Sequence, residues 1–325
     1  MGVFMKKRGC AYFIFTRARF LFWLCAVASA TGPVSRLIPQ GRLPEVHWVL
    51  EMFAHWQWVY LLLGMVCLVV LAFCGRTWQL IVPALALSVS FFSTPDGLIQ
   101  AFPNKEPTLT VVTANLNFTT TEYDGLSQWL LTAKPDLVFL QEYTEQAQKT
   151  LATQELREQY PHRIEVPQHD QFGLAVLSRH PLLDAQQIYP RNLKDTLRLR
   201  ASVAWGDRTV LLSALHPMPP LNSGYVEARD RALLEEAEYL TQTGELALIA
   251  GDLNMTPWTR GFSAIEGQLR RANGLSGTWP SALGWLSVLP LDHVLASSGW
   301  RLVEADLGPD LGSDHRPVIV KLIAQ

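Results

Sequence analysis

The pair Asp314-His315 lies near the end of the chain, within Gly312–Pro317, and a run of apolar residues follows it. A carboxylate beside an imidazole can fix the tautomer of the ring, and the ring can then transfer a proton or hold a water molecule. A segment this short also occurs as an ordinary turn. Its interest here comes from further polar clusters that precede it along the chain.

Each of these clusters lies at one end of, or just inside, an apolar run of four to eight residues that turn formers bound. Such runs predict buried strands rather than helices. The polar residues at these places are Asn115, Asn117, Glu142, His216, Asp252, Asn254 and Asp292. Because ligands of α/β proteins usually bind where strand ends meet at one edge of a sheet, we expect these side chains to lie close together.

The residue types indicate a chemistry for this edge. Glu142 and Asp292 offer hard oxygen ligands of the kind that Mg²⁺ or Mn²⁺ prefers. His216 and His315 have imidazoles whose protonation is tunable near neutral pH. The amides can orient a phosphate or a water without adding negative charge, and they are Asn115, Asn117 and Asn254. A divalent ion beside two histidines suits hydrolysis of a phosphate ester, because one group activates water and another protonates the leaving oxygen.

The motifs TANLN, LQE, LHP, GDLN, LDH and SDHRP, in this order, resemble the endonuclease/exonuclease/phosphatase superfamily. This is the fold of pancreatic deoxyribonuclease, apurinic endonucleases, neutral sphingomyelinases and inositol-phosphate phosphatases. The resemblance covers about Leu109 to Leu322; each motif alone is weak, but the ordered set is specific. It implies a four-layer α/β sandwich, in which two packed mixed sheets are flanked by helices, and a metal-dependent phosphoric ester hydrolase.

The resemblance also implies roles for single residues. His216 matches the general acid of the deoxyribonuclease branch, and Asp252 with Asn254 matches the pair that polarises the attacking water and holds the phosphate. Asp314 and His315 match the terminal dyad, in which His315 helps to activate the water. The residues that it assigns to a Mg²⁺ or Mn²⁺ ion are Asn115, Glu142 and Asp292.

Three further positions depart from the family pattern or are open. Many members have another residue where Asn117 stands. Arg198 and Arg200 are candidates for a Tyr or Arg that some branches place between the LHP and GDLN motifs. The stretch Thr278–Pro280 is a candidate for lining the substrate cleft.

The N-terminal region, residues 1–95, predicts two or three transmembrane helices, at about 20–35, 56–75 and 77–95. The last two contain twenty and nineteen uncharged residues, each enough to cross a hydrocarbon core of about 30 Å. The first is short, and Ala28-Ser29-Ala30 resembles a signal-peptide cleavage site, so a cleaved signal is the alternative to a first span. Residues 96–107 predict a linker, and 108–325 the catalytic domain.

Basic residues before the first segment place the N-terminus in the cytoplasm, and they are Lys6, Lys7, Arg8, Arg17 and Arg19. With three spans, the Arg36–His55 loop and the catalytic domain both lie outside the cytoplasm, on the periplasmic side of a multi-pass membrane protein. If the first segment does not span, the remaining hairpin places the catalytic domain in the cytoplasm. The predicted partner of this region is the membrane, and no protein partner is predicted.

Composition limits the substrate and the redox chemistry. All four cysteines precede residue 75, which excludes a disulfide scaffold or a thiolate zinc site in the catalytic domain. The region after residue 100 has 19 Lys and Arg against 26 Asp and Glu, without a basic run that marks a nucleic-acid groove. Glu235, Glu236 and Glu238 are expected on the solvated face of a helix.

The sequence therefore predicts a membrane-anchored phosphoesterase that hydrolyses phosphodiester bonds. A nuclease is one form of this prediction, and the predicted substrate is nucleic acid or a phospholipid headgroup. A sphingomyelinase-like lipid phosphodiesterase or phosphatase is the alternative enzyme, and a binding protein on an inactive enzyme fold is the alternative of another class. Predicted helices lie near 122–133, 144–158, 225–242 and 258–267. Predicted strands lie near 109–114, 136–140, 173–178, 199–205, 209–215, 246–250, 291–295 and 317–322.

Overall fold

The structure, a computed structural model, describes residues 2–39, 41–73, 80–101, 106–243 and 246–325, with side chains from residue 12 onward. The chain forms two compact units. The helical unit comprises Met1–Thr94 together with Trp258–Arg260, and the sandwich unit comprises the remaining residues.

Within its described residues, the helical unit contains five helices: α1 (Gly2–Ser29), α2 (Thr31–Arg36), α3 (Pro44–Ala54), α4 (Gln57–Ala72) and α5 (Ile81–Phe92). Helices α1, α4 and α5 pack around a small apolar core that includes Phe22, Cys67, Leu71 and Leu87. Tyr12–Arg36 is long and apolar enough to cross a membrane, α3 and α4 pass the same test as one bent pair, and α5 is a shorter apolar helix. A signal sequence also passes this test, so the N-terminal helix fits either role.

One difference from the sequence prediction concerns this unit. The predicted 36–55 loop contains α3, which sequence reasoning missed because its polar residues face inward and interrupt the apolar pattern. The predicted spans 56–75 and 77–95 overlap α4 and α5, although residues 74–79 lie outside the described part of the chain. The predicted linker is described at both ends, where Gly97 and Gln100 form bridges to Arg271 and Leu302.

The sandwich unit contains twelve strands in two sheets: β1 (Leu109–Asn115), β2 (Leu137–Gln141), β3 (His162–Val166), β4 (Leu174–Ser178), β5 (Leu182–Ile188), β6 (Arg198–Trp205), β7 (Arg208–Leu215), β8 (Leu246–Asp252), β9 (Leu269–Arg271), β10 (Asp292–Ser297), β11 (Trp300–Leu307) and β12 (Val318–Ala324). The first sheet has the order β11-β12-β1-β2-β4-β3, and the second β5-β6-β7-β8-β10-β9. Each sheet contains one parallel pair, β1 with β2 and β7 with β8, so both sheets are mixed.

The sheets pack face to face over a core formed by the inward residues of both, such as Val111, Phe139, Leu212 and Val294. The helices of this unit are α6 (Asp124–Ala133), α7 (Glu145–Thr150), α8 (Gln154–Gln159), α9 (Ser223–Thr243) and α10 (Arg260–Ala264). Helices α6 to α8 cover the outer face of the first sheet, and α9 lies against the second. The four-layer α/β sandwich that the sequence predicts is therefore confirmed.

Strand directions explain why the polar clusters converge. The parallel pairs bring Asn115 at the end of β1 beside Gln141 at the end of β2, and the end of β7 beside that of β8. Strand β10 runs antiparallel to β8, so that its first residue, Asp292, lies directly opposite Asp252. Strand β12 is antiparallel to β1, which places the segment before it at the same edge.

Candidate active site

The side chain of Asn115 lies at the centre of this edge and is almost fully buried. Its Nδ2 donates to Glu142 Oε1 and to Asp252 Oδ2, both at 3.1 Å, and so connects a carboxylate of each sheet. Its Oδ1 accepts from the backbone N–H of Asn117 at 2.9 Å. Ser313 Oγ donates to the Asn115 carbonyl oxygen at 2.8 Å and thereby attaches the segment before β12.

Glu142 follows β2 in a left-handed conformation with φ of 55°. This backbone region costs a residue other than glycine or asparagine on the order of 1–3 kcal/mol, and such conformations concentrate at functional sites. The Phe118 backbone N–H donates to Glu142 Oε2 at 2.8 Å, which holds the carboxylate toward Asn115. The strained position is therefore maintained by contacts to the same cluster.

His216 follows β7, and its imidazole is buried with Nδ1 at 3.0 Å from the Gln171 carbonyl oxygen. This contact makes Nδ1 the donor in every protonation state, so Nε2 faces Asp252 Oδ2 at 3.6 Å and Glu142 Oε1 at 3.9 Å. Burial acts to lower the pKa of His216, but the Asp252 and Glu142 carboxylates outweigh it, and the net pKa is raised. The raised pKa therefore favours the protonated ring, which can act as a proton donor.

His315 forms the other side of the cluster. Its Nδ1 lies 2.8 Å from Asp292 Oδ2, and its Nε2 lies 3.6 Å from Asp252 Oδ2. Burial acts to lower the pKa of His315, but Asp292 and Asp252 raise it to about 10. Asp252 is thus flanked by two imidazoles, and although burial acts to raise its pKa, these imidazoles bring that pKa well below the usual range.

The carboxylate that orients His315 is therefore Asp292 and not its chain neighbour Asp314. The Asp314 side chain is exposed, and its Oδ2 accepts from the Trp279 indole Nε1 at 3.1 Å. The sequence suggested Asp314 because it adjoins His315, but the two side chains lie apart: that of Asp314 is exposed and that of His315 is buried. The catalytic role of Asp314 stays a prediction, and the structure places its carboxylate outside the cluster.

The loop after β8 carries Asp252 and Asn254. Asp252 Oδ1 accepts from the Asn254 backbone N–H at 2.8 Å, and Asn254 Nδ2 donates to the Pro217 carbonyl oxygen at 3.0 Å. This connects the loop to the residue after His216. Gly251 is required just before Asp252, because a Cβ there would clash with the Leu215 carbonyl oxygen.

Arg229 of α9 is a positioning residue that sequence reasoning missed. Its guanidinium is buried, with Nη1 donating to the Asn254 carbonyl oxygen at 2.9 Å and Nη2 to Asp230 Oδ1 at 2.7 Å. Asn254 has a φ of 49°, and the buried guanidinium holds this turn from outside the motif. No local pattern marks Arg229, because its partner lies 25 residues further along the chain.

The remaining candidates lie outside the cluster. Asn117 Oδ1 accepts from Thr119 N and Oγ1 at 3.1 and 2.7 Å, a turn within its own loop. Arg198 and Arg200 both contact Glu236, at 2.9 and 2.8 Å. Glu236 is fully buried, so its expected place on a solvated face is wrong: it neutralises two arginines of β6.

His293 is also structural, because its buried Nε2 contacts the carbonyl oxygens of Met255 and Pro290 at 3.0 and 2.8 Å. The predicted cleft stretch contributes through two hydrogen bonds. Thr278 Oγ1 accepts from the Asp292 backbone N–H at 3.3 Å, and Trp279 donates to Asp314 as described.

The donor set fits a divalent cation. One ligand atom each of Asp252, Asp292 and His315 lies within 4.8 Å of the others, and all three residues are buried. Asp292 Oδ1 is fully enclosed and accepts no hydrogen bond of normal geometry from the described residues, and burial raises the pKa of Asp292. A buried carboxylate oxygen without a donor is costly unless a cation neutralises it. The assignment of the ion to Asn115, Glu142 and Asp292 stays a prediction beside this alternative set, in which His315 would have to bind as a neutral imidazole and could not also carry a second proton.

Fold and site together define an α/β-sandwich protein with a polar, metal-compatible cluster at one sheet edge. A model of the endonuclease/exonuclease/phosphatase family matches residues 112–315, and the chain belongs to this family. Members of this superfamily are generally metal-dependent phosphoesterases or nucleases. The resemblance inferred from the ordered motifs is thereby confirmed.

Solved structures show the same fold at low identity. Humanized TDP2 from D. rerio aligns with a TM-score of 0.57 and 17% identity, covering 67% of this chain and 99% of that chain. TDP2 from D. rerio with a single-strand DNA product aligns at 0.55 and 17%, with the same coverage. An endonuclease/exonuclease/phosphatase from Bacteroides vulgatus aligns at 0.53 and 17%, covering 68% and 100%. Among curated proteins none matches the sequence.

Proposed function

We propose that this protein is a membrane-anchored, divalent-metal-dependent phosphoesterase that hydrolyses phosphodiester bonds. The observation that supports this most is the position of Asp252. Its Oδ2 lies 3.6 Å from the Nε2 atoms of both His216 and His315, which is the arrangement of a water-orienting carboxylate between two proton-carrying groups.

In this proposal, Asp252 orients the attacking water and accepts its proton as the oxygen–phosphorus bond forms, because its carboxylate is ionised and held by the Asn254 backbone N–H. His216, with its raised pKa, protonates the leaving oxygen. His315, which Asp292 keeps protonated across the neutral range, hydrogen-bonds a phosphoryl oxygen as negative charge develops there. Bound Mg²⁺ or Mn²⁺ would neutralise the phosphoryl oxygens.

The proposed anchoring is supported by the exposed surface of the helical unit. Large apolar side chains are exposed on its helices, including Phe20, Val66, Val82 and Val89. A protein surface of this kind is stable in lipid rather than in water. Three crossings from a cytoplasmic N-terminus would place the sandwich unit on the periplasmic side, as the distribution of basic residues predicts.

A reporter enzyme fused after Gln325 tests this topology. The proposal expects activity only of a reporter that works outside the cytoplasm. Activity only of a cytoplasmic reporter would contradict it and would favour a hairpin without a first span.

Two substrate classes are consistent with the site. The D. rerio TDP2 structure contains a single-strand DNA product, and this favours a nuclease. The exposed apolar helices favour instead a lipid-headgroup phosphodiesterase or phosphatase, because they would bring the enzyme to a lipid surface.

A panel of substrates separates the classes. Full-length protein in detergent, with Mg²⁺ or with Mn²⁺, is assayed on bis-p-nitrophenyl phosphate, plasmid DNA, sphingomyelin and phosphoinositides. Asp252→Asn, which keeps the shape of the side chain, is the matched control. Hydrolysis of any ester that Asp252→Asn abolishes supports the proposal, and inert wild-type protein on all esters with both ions contradicts it.

A further inference from the structure

A short 3₁₀ segment, Ser281–Leu286, exposes three large apolar side chains of the sandwich unit. Leu283, Trp285 and Leu286 are 50%, 89% and 47% exposed, and we call these three residues the apolar tip. Gly284 has a φ of 55°, and this turn lets the chain present side chains on both sides of it. A nearly fully exposed indole between two leucines is an unfavourable surface in water, which indicates an apolar partner.

The apolar tip is attached to the catalytic edge by three hydrogen bonds. The Ser281 backbone N–H donates to the Asp314 carbonyl oxygen at 2.8 Å, and Ser281 Oγ donates to the Ser313 carbonyl oxygen at 2.6 Å. The Trp279 indole donates to the Asp314 carboxylate, as described above. Because Asp314 directly precedes His315, the apolar tip is bonded to the segment that carries His315 into the proposed catalytic cluster.

The segment is closed on itself, so the tip is held as a fixed projection. Ser287 Oγ lies within hydrogen-bonding distance of the carbonyl oxygens of Pro280 and Gly284, at 2.7 and 2.8 Å. Trp279 and Leu289 form a bridge that joins the two ends. Holding the apolar side chains in place lowers the entropic cost of binding a ligand on them.

Charge around the tip decides between a nucleic acid and a lipid. The sequence between Arg271 and Arg301 contains neither lysine nor arginine, and the whole region after residue 100 is acidic in balance. A nucleic-acid strand carries a phosphate at every nucleotide and needs cationic side chains along its path. The tip itself has no charged side chain, and the segment bonded to it adds Asp314 and Arg316, one charge of each sign. Such a rim better complements a ligand that has one phosphate group and a hydrocarbon body.

We propose that the apolar tip binds the hydrocarbon chain of a membrane phospholipid while the phosphodiester of that lipid lies at His216, Asp252 and His315. This inference rests on the proposed function and specifies its substrate class. Tryptophan with leucine is the composition that proteins place at membrane interfaces. The helical unit of the same chain, with its apolar exterior, would hold the enzyme in the phase where such substrates occur.

A homologous series of substrates measures this contact directly. Methyl, butyl and octyl p-nitrophenyl phosphate share one leaving group and differ only in the hydrocarbon chain. For the full-length protein in detergent, kcat/KM is expected to rise on the order of tenfold from methyl to octyl, equivalent to burying about two methylene groups. Trp285→Ser should remove most of that rise while leaving hydrolysis of the methyl ester unchanged.

Leu193→Ser is the matched control, because Leu193 is 93% exposed and lies in a different loop, before β6. It should keep the full dependence on chain length. Partition of the octyl ester into detergent is common to the three proteins, so it cancels when variants are compared. An equal chain-length dependence in wild type and Trp285→Ser would overturn the inference, and so would wild-type protein that shows none.

Two further outcomes separate the alternatives. Thymidine 5′-(p-nitrophenyl) phosphate presents a nucleobase. A loss of kcat/KM in Trp285→Ser confined to that ester would assign the tip to nucleic acid and would overturn its assignment to a lipid. Wild-type protein that fails to hydrolyse even the methyl ester with Mg²⁺ or Mn²⁺ would instead overturn the proposed function, and the inference with it.

Discussion

The two units of this protein both have an apolar core, but they differ in the surface that they expose and in where their polar side chains lie. In the sandwich unit, the large apolar side chains are buried between and beside the sheets, and one cluster of buried ionisable groups lies at a single edge. In the helical unit, large apolar side chains such as Phe20 and Val66 are exposed, whereas Glu51, Gln57 and Ser29 are buried.

This contrast shows that the side chains expected to be buried depend on whether water or lipid surrounds the unit. The sandwich follows the rule for water, so its buried polar groups are exceptions that call for a function. The helical unit has a small apolar core as well, but much of its exterior is also apolar, which the proposed membrane anchoring would explain without a specific site. Substitutions at one edge of the sandwich are therefore expected to change catalytic activity. Substitutions on the outside of the helices are expected to impair the proposed membrane insertion.

The strongest effect should come from the two histidines of the sandwich edge. His315→Ala should lower kcat roughly 10²–10⁴-fold on any ester, because phosphoryl stabilisation is needed whatever the leaving group. His216→Ala should show a comparable loss with an alkoxide leaving group, but a smaller loss with p-nitrophenolate, which leaves without a proton. The measurement is kcat of both variants on both kinds of ester. Equal losses of His216→Ala on both would remove it from the general-acid role.

The next effect compares a buried arginine, Arg229, with an exposed arginine of the same helix, α9. Arg229→Gln removes the guanidinium charge from buried Asp230 and a hydrogen bond from the Asn254 carbonyl oxygen, so it should cost about 3–5 kcal/mol of stability. In protein that remains folded, kcat should fall roughly 10–100-fold with little change in KM, because water positioning rather than binding is lost.

Arg231→Gln is the control, since Arg231 is exposed two residues along the same helix. Thermal unfolding and steady-state kinetics of both variants report the two effects. An Arg229→Gln protein with wild-type kcat would show that the guanidinium does not position the catalytic loop.

A pair of substitutions, one in each unit, tests whether lipid surrounds the exposed apolar side chains of the helices. Val66 of α4 and Leu183 of β5 are 62% and 48% exposed. If lipid surrounds α4, Val66→Arg should cost about 2.5–3.5 kcal/mol of insertion free energy and reduce the membrane-integrated fraction after alkaline extraction. Leu183→Arg faces water and should change stability by about 0.5 kcal/mol or less. Equal tolerance of both would mean that both surfaces face the same solvent.

The smallest effect depends on pH. Burial, with Arg271 nearby, lowers the pKa of His293 from 6.5 to about 4. The folded state thus binds this proton less readily than the unfolded state, so the stability is fully present above pH 6.5. It is lost as pH falls toward 4, by roughly 3 kcal/mol.

Chemical denaturation from pH 7 to pH 4 measures that slope. His293→Gln should flatten it, whereas His169→Gln, which changes an exposed histidine, should keep it. A wild-type slope in His293→Gln would assign the acid sensitivity to other groups.

The sequence predicted most of the sandwich, because its buried strands are apolar runs that end in polar residues. Strands β1, β2, β4, β6, β7, β8, β10 and β12 lie within one or two residues of their predicted bounds. Strands β3, β5, β9 and β11 were missed because they are short or lie at sheet edges. In β5 exposed polar residues hide the alternation that marks a strand. The predicted helix at 144–158 is two helices, α7 and α8, since Thr144 and Thr153 each cap a new one.

The candidate site was predictable as a set of residues but not as a set of contacts. Strand ends predicted that Asn115, Glu142, His216, Asp252 and His315 meet. That Asp292 rather than Asp314 orients His315 depends on the pairing of β10 with β8, which no local pattern reveals. The same holds for Arg229, whose role exists only once α9 has packed beside the β8 loop.

The central claim is that the cluster around Asn115 is a metal-dependent hydrolytic site, and metal removal tests it most directly. Full-length protein is treated with chelator, passed through a desalting column and assayed on bis-p-nitrophenyl phosphate while Mg²⁺ or Mn²⁺ is restored. Wild-type activity should vanish with chelator and return with saturable dependence on the ion, and Glu142→Ala should shift that dependence to higher concentration while retaining the fold. Full activity in excess chelator would contradict the account.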